Sequence, residues 1–567
     1  MRIGRHGAVL GIILGAIAGM VGASLPSVPV SAAVVRTEAT VRSGTVLSGT
    51  VFDDRDGDGR QDAGEPGVAG VAVSNGRDLA VTDAAGRYRL SVAPGQTVFA
   101  IKPAGWRLPG DDPARAGAWR HIPPPAGPRP KYGGIPAGPA PRRFDIGLRR
   151  AAPGDGRLHV RIFADPQTAT RKEVGYYGRD IVDSVLAEAR DADLGAPELG
   201  LSLGDVADDA LDLYPALNAE TRRIGAPWLH IPGNHDIDFD VARDEDSLLS
   251  FRHVYGPDTV AWEEDEAVFI GLDDVIYQPG RQPEYIGGFR EDQFAFLEAY
   301  LPRVPRDRLL VIGLHIPLFE PEGRDTFRDA DRERLFALLR DFPHLLILSG
   351  HAHTQQHRFH DARTGWRGAA PLHEYTVGAA CGAFWTGVKD AEGIPDTTME
   401  DGTPNGYASL RIESGGRYAL RWHVARAPDD PGIGLHAPKV LRRGAYPAHG
   451  VFANVYMGQA DTRVEFRIDG GEWMPMRRVL APDPNLLRQN MLDADADTLR
   501  GYDRSPEARP SSHLWRGTLR TDLTVGEHRV EVRAFDPWRG ELRAETRYRL
   551  DEAEECLGPQ SPMRCRC

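Results

Sequence analysis

Short β-type runs dominate both ends of the 567-residue chain, while its middle alternates longer apolar runs with amphipathic stretches. From about Glu38 to Gly147 the runs GTVLSGTVF, GVAVS, LAVTD, GRYRLSV, QTVFAIK and FDIGL are separated by Gly, Pro and Asp, which predicts a small β-sandwich over 38–150. The proline-rich PPPAGPRPKYGGIPAGPAPRR falls before its last strand and reads as an extended loop, and AAPGDG, Ala151 to Gly156, reads as a linker. Over 157–427 apolar strands (LHVRIFA, LGLSLG, WLHIP, AVFIGL, LLVIGLH, LLILSGH) alternate with helices expected near Asp180–Ala192, Glu291–Leu301 and Asp331–Arg340, a layered α/β pattern. VFANVYM, TRVEFRID, HLWRGTL, HRVEVRAFD and ETRYRL then predict a second sandwich over 436–551, ahead of a tail at 552–567. The fold class is therefore multidomain, an α/β core between two β-domains.

Length alone calls for several cores. A net charge of -13, with no long Lys/Arg run, argues against a polyanion-binding groove and for a small substrate rather than nucleic acid. Arg2, Arg5 and His6 precede an apolar stretch from Ala8 to Leu25 and then Val30-Ser31-Ala32, which predicts a signal peptide over 1–32 and a secreted or periplasmic protein. The rival reading of that stretch is an uncleaved anchor; nothing later in the sequence has spanning length. Of four cysteines, Cys556, Cys565 and Cys567 crowd the end, so Cys556 is expected to pair with Cys565 or Cys567, and Cys381 reads as a small buried residue.

The chemistry concentrates in FADPQ (Asp165, Gln167), SLGDVADD (Gly204, Asp205), PGNHD (Asn234, His235, Asp236), GLHIP (His315) and SGHAHTQQH (His351, His353). Each follows an apolar run, where open α/β sheets place their ligands. Carboxylate, amide and imidazole groups without thiolate suit Zn, Mn, Fe or Ni. Two such cations about 3.5–4 Å apart share a hydroxide, lower its pKa and clamp phosphoryl oxygens.

On these motifs, residues 158–425 resemble the calcineurin-like metallophosphoesterases. With GAACGAFWTGV, EDGTPNGY and the flanking β-domains, the chain is similar to a secreted bacterial branch of that family. The resemblance implies a four-layer α/β core and a dinuclear hydrolase of phosphate esters with a metal-bridging hydroxide as nucleophile. Carried over residue by residue, Asp165 and His353 hold the first metal, Asp205 bridges both, and Asn234, His315 and His351 hold the second. His235 sits over the phosphate as acid or charge stabiliser, with Asp236 expected to orient its ring. Gln167 departs from the family, where many members have histidine, so it is read as a weak ligand, a neighbour of a bound water, or a group behind the ligands. Asp208 and Asp209 read as solvated loop carboxylates, with contact to the first metal or its water as the alternative; His357 and His360 read as structural.

Asp54-x-Asp56-x-Asp58-Gly59-x-x-Asp62-x-x-Glu65 fits the twelve-position calcium loop, flanked here by β-type segments and similar to calcium-stapled repeats of surface adhesins. Phe384, Trp385, Lys389, Asn405 and Tyr407 follow the last metal motif, and Trp385 and Tyr407 are expected to line the substrate pocket, against a packing role. The alternatives on the same motifs are a nucleotidase or phosphodiesterase, and a surface-binding protein with a decayed site.

Overall fold

The computed structural model describes residues 45–553 apart from 109–118, 125, 189–194, 320–326, 428, 430 and 502. The expected leader and the tail cysteines Cys556, Cys565 and Cys567 lie outside the described residues.

Alternation in the first β-type runs resolves into two four-stranded sheets. One orders Arg87–Val92, Thr45–Asp53, Ile146–Arg150 and Trp106–Arg107; the other orders Leu79–Val81, Ala72–Ser74, Thr97–Ala100 and Trp119–His121. Leu47, Val51, Val73, Leu90, Val98 and Ile146 fill the space between them. Lys102 joins this module to the next: its buried ammonium donates to the Glu263 carbonyl at 2.8 Å and pairs with Glu264 at 2.6 Å.

The middle of the chain forms two facing sheets. The first orders Trp228–Ile231, Leu199–Leu203, Arg157–Phe163, Gly406–Glu413 and Arg417–Val424. The second orders Thr259–Glu263, Ala267–Leu272, Leu309–Gly313, Leu345–Ser349, Leu372–Thr376 and Gln356–His360. Their central strands run parallel, and those of the second sheet, Ala267–Leu272, Leu309–Gly313 and Leu345–Ser349, are almost wholly buried on both faces, which is why they read as continuous apolar runs, whereas Arg157–Phe163 in the first sheet alternates Leu158, Val160 and Ile162 with His159 and Arg161. Gly271 and Gly313 let the sheets close: a methyl group on Gly313 would sit 2.3 Å from Ile231. Helices cover the outer faces, completing four layers. Tyr177 packs its ring edge-on to Phe163 of the first sheet, and Gln293 bonds Thr259 of the second.

Two of the three expected helices stand within two residues of their predicted ends, at Glu291–Tyr300 and Asp329–Leu339. The other starts earlier than expected, at Arg171, because Thr170 and Glu173 form a capping box. It passes through a wide turn at Gly178–Val182 into Asp183–Glu188.

The last β-type runs form a four-stranded sheet (Ile433–His436, Gly450–Val455, Pro510–Thr518, Arg477–Pro482) and a five-stranded one led by the long hairpin Gly526–Asp536 and Gly540–Asp551. An unexpected helix, Pro484–Ala494, interrupts them; Asp483 caps it and proline occupies its first turn. A buried knot ties this module to the core: the Asp401 carboxylate accepts from His513 Nε2 at 3.0 Å and from the Gln355 amide at 2.8 Å.

Candidate metal centre

Five strands of the two sheets end beside one another, and each releases a candidate ligand within three residues: Asp165, Asp205, Asn234, His315 and His351. The turns are tight. Asp165, Gln167, Asp205, His351 and His353 take left-handed backbone angles, with φ of 49°, 38°, 49°, 67° and 48°. Such conformations persist in non-glycine residues only where the surroundings over-determine them, and they cluster at functional sites. Two glycines make the space: a methyl group on Gly204 would lie 2.4 Å from His315 Nδ1, and one on Gly233 would lie 2.2 Å from Asp205 Oδ1.

Around His315 the acceptors crowd together. Its Nδ1 bonds the Leu203 carbonyl at 2.8 Å, turning Nε2 toward Asn234 Oδ1 at 2.9 Å, His351 Nδ1 at 3.2 Å and Asp205 Oδ2 at 3.3 Å. Among the described residues, no lysine or arginine pairs with Asp205 or Asp165, although both are buried. Among protein groups alone, burial pushes Asp165 up to about 8, because the charge of His315 and the His351 amide only partly offset the lost hydration shell and Asp205 adds to the rise. Lone-pair donors converging in a mostly buried pocket without a lysine or arginine fit a cation.

On the other side of Asp165, His353 Nε2 approaches Oδ1 at 3.7 Å, while its Nδ1 bonds the Gly382 carbonyl at 2.8 Å and fixes the ring. Gln167 is buried in the same loop. Its Nε2 lies 3.3 Å from Asp208 Oδ1 and its Oε1 3.9 Å from the Cys381 thiol, and its backbone amide bonds the Asp205 carbonyl at 2.8 Å. Cys381 is itself buried, as expected of a small packing residue.

His235 hangs over this centre, its amide donating to Asp205 Oδ1 at 2.8 Å. Here the expectation for Asp236 is corrected. Asp236 is wholly buried and accepts from the Gly233 and Val206 amides and the Tyr214 hydroxyl, so it holds the loop and leaves the His235 ring alone. The ring is oriented by Asp209 Oδ1 at 2.9 Å and Asp208 Oδ1 at 3.1 Å, both on Nδ1. Burial opposes a charge on His235, but Asp205, Asp209 and Asp208 outweigh it and raise the imidazole to about 9 among protein groups alone.

The expected pocket residues are also corrected. Trp385 and Tyr407 are buried; the Trp385 indole donates to the Pro166 carbonyl at 3.0 Å, behind the ligands. Phe384 is the ring that faces outward, 52% exposed and stacked on His353 with centroids 4.5 Å apart. His357 and His360 sit in separate pairs, the first partly buried with His373 at 2.9 Å and the second buried with Glu374 at 2.6 Å. Asp274, overlooked in the sequence, accepts from the His315 and Ile316 amides and so sets the GLHIP turn; GLDD after an apolar run was its signal.

In the N-terminal module Asp54 is buried and accepts from the Gly57 and Gly59 amides, while Glu65 accepts from Arg55 and Asp62. Carboxylate oxygens of Asp54, Asp56 and Glu65 lie within 4.8 Å of one another, as do those of Asp56, Asp58 and Asp62.

The ends of the paired sheets thus bring together carboxylate, amide and imidazole side chains suited to holding metal ions. Three family models match along the chain: N terminal of calcineurin-like phosphoesterase at 55–129, calcineurin-like phosphoesterase at 158–355, and C terminal of calcineurin-like phosphoesterase at 374–541. The chain belongs to the calcineurin-like phosphoesterases. No curated protein matches it. Solved structures that match include a purple acid phosphatase from yellow lupin (Lupinus luteus) seeds, 10% identical with a TM-score of 0.36 over 67% of this chain and 66% of that one. The chain thus spans just under two thirds of that protein's length.

Proposed function

We propose that the protein hydrolyses small phosphate esters at a dinuclear centre. The observation that carries this is the convergence of Asp205, Asn234, His315 and His351 beside Asp165 and His353, with His235 above. Asp165 and His353 would hold the first metal, Asn234, His315 and His351 would hold the second, and Asp205 would be shared between them. Two divalent cations, of Mn, Zn, Fe or Ni, supply charge neutralisation at the phosphoryl group and activation of water. Asp208 and Asp209 hold His235 by Nδ1, which leaves Nε2 to give a proton to the departing oxygen or to stabilise charge on it. Gln167 offers a neutral amide where imidazole would bind more tightly, so the first position is the weaker and harder of the two.

A structural calcium ion in the Asp54–Glu65 loop and export through the N-terminal leader complete the reading. No described helix is long and apolar enough to cross a membrane. Elemental analysis of the purified protein, joined to a panel of mono- and diesters, tests the proposal. The expected result is two divalent ions and turnover, both lost in Asp205→Ala; a fully active protein with Asp205→Ala at unchanged metal content would refute it.

A further inference from the structure

We infer that the N-terminal β-module is part of the catalytic machinery, and that Tyr132 is a positioning residue for the His235 acid. The inference rests on the proposed role of His235. Tyr132 lies in the proline-rich stretch, which the sequence pattern marks only as an extended loop. In the fold that loop crosses to the catalytic domain. The Lys131 amide donates to Asp240 Oδ2 at 2.8 Å, the Tyr132 ring packs at the border of the catalytic core, and the Tyr132 hydroxyl donates to the Asp209 carbonyl at 2.6 Å. Lys131 Nζ donates in turn to the Tyr132 hydroxyl at 2.7 Å and lies over its ring. An O–H that accepts from an ammonium is polarised, and is the stronger donor for it.

Asp209 is the residue this chain of bonds restrains. Its backbone is left-handed, φ 56°, its amide donates to the His235 carbonyl at 3.2 Å, and its carboxylate takes the His235 ring at 2.9 Å. Its side chain is half exposed, so packing does not hold it. The amide and the carboxylate both answer to His235, and the carbonyl answers to Tyr132. Removing the hydroxyl frees the Asp209 peptide to relax from its left-handed turn. The carboxylate then swings away from Nδ1, and the ring loses the orientation that aims Nε2 at the leaving oxygen. Asp208, at 3.1 Å, retains a partial hold, so the loss is partial.

This predicts an effect that depends on the leaving group. Protonation matters most when the departing alkoxide or phenoxide is basic and little when it is stable. The test uses metal-loaded, full-length enzyme and a series of aryl phosphates from 4-nitrophenyl to unsubstituted phenyl, as monoesters or diesters according to which is turned over. Tyr132→Phe is expected to lose about tenfold in kcat on the phenyl ester, the weight of one hydrogen bond, and about twofold or less on the 4-nitrophenyl ester, with unchanged metal content and melting temperature. His235→Ala should steepen the same dependence further, on the order of 10² on the phenyl ester. Equal losses of Tyr132→Phe on every ester, or none, overturn the inference while a steepened His235→Ala series leaves the acid role standing. A flat His235→Ala series overturns both.

Discussion

Asp401 links the C-terminal sandwich to the loop that carries His351 and His353, and replacing it with asparagine measures that link. Its Oδ2 accepts from the Gln355 amide at 2.8 Å and from His513 Nε2 at 3.0 Å, and its Oδ1 from the Thr403 amide at 2.8 Å. Burial opposes the charge, but His513 and these amides hold its pKa below the ordinary carboxylate range. His513 cannot adapt by switching its other nitrogen. Asn454 Nδ2 is committed to the Asp401 carbonyl and to Asp483, which turns Asn454 Oδ1 toward His513 Nδ1 at 2.7 Å. In Asp401→Asn the new NH2 must face a donor, so one buried N–H loses its acceptor while His513 loses a charge-assisted bond. The two losses, about 1–3 and about 1.5–3 kcal/mol, sum to roughly 2.5–6 kcal/mol, a range that contains the ~3–5 kcal/mol expected for breaking a buried pair from one side. Thermal melting of the full-length protein should show a drop on the order of 10 °C, with faster loss of metal to a chelator because the His353 loop is loosened. His513→Phe combined with Asp401→Asn should cost less than the sum of the two. A melting temperature within about 2 °C of wild type, where a drop of this size is expected, would refute the reasoning.

Three further outcomes are expected. His230 is buried with neither ring nitrogen partnered among the described residues, and burial lowers it to about 3. The unfolded chain therefore binds more protons between about pH 3 and 6.5, and stability falls as pH drops through that window; His230→Phe should flatten the acid limb of a denaturation series by up to about 1.4 kcal/mol per pH unit, and an unchanged slope counts against it. Calcium at millimolar levels should raise the melting temperature of the full-length protein by mass action, and Asp54→Ala should abolish the rise; no rise in wild type leaves the loop as an acidic turn. Gln167→His should tighten zinc relative to manganese in titrations of metal-depleted protein, whereas identical affinities would place Gln167 outside the coordination shell.

The strands and the polar side chains at their ends were both legible in the sequence because both obey short-range rules. An apolar run is visible as such, and Asp165, Asp205, Asn234, His315 and His351 each follow one. Contacts made across the fold were not visible. Asp236 adjoins His235 in sequence yet turns into the Gly233–Val206 backbone, while Asp208 and Asp209 arrive from another strand end. Trp385 and Tyr407 looked like pocket rings because an aromatic in a loop reads the same whether it faces solvent or the sheet beneath. The helix Pro484–Ala494 had a legible start, Asp483 before proline, and an amphipathic body with Leu486 buried, but its place among β-type runs hid it.

The strand that delivers Asp165 has consequences for the order in which the protein assembles. Arg157–Phe163 pairs on one side with Leu199–Leu203, close in sequence, and on the other with Gly406–Glu413, where Val160 meets Leu410, 410 − 160 = 250 residues later. Until that second neighbour emerges, the strand bearing Asp165 is an open edge on which Leu158, Val160, Ile162 and Phe163 are uncovered, a template for pairing with another chain. Closing so long a loop is slow, and a nascent or truncated chain ending before Gly406 would expose the edge throughout. The site therefore becomes competent for metal late, after the last strand of its own sheet is laid down.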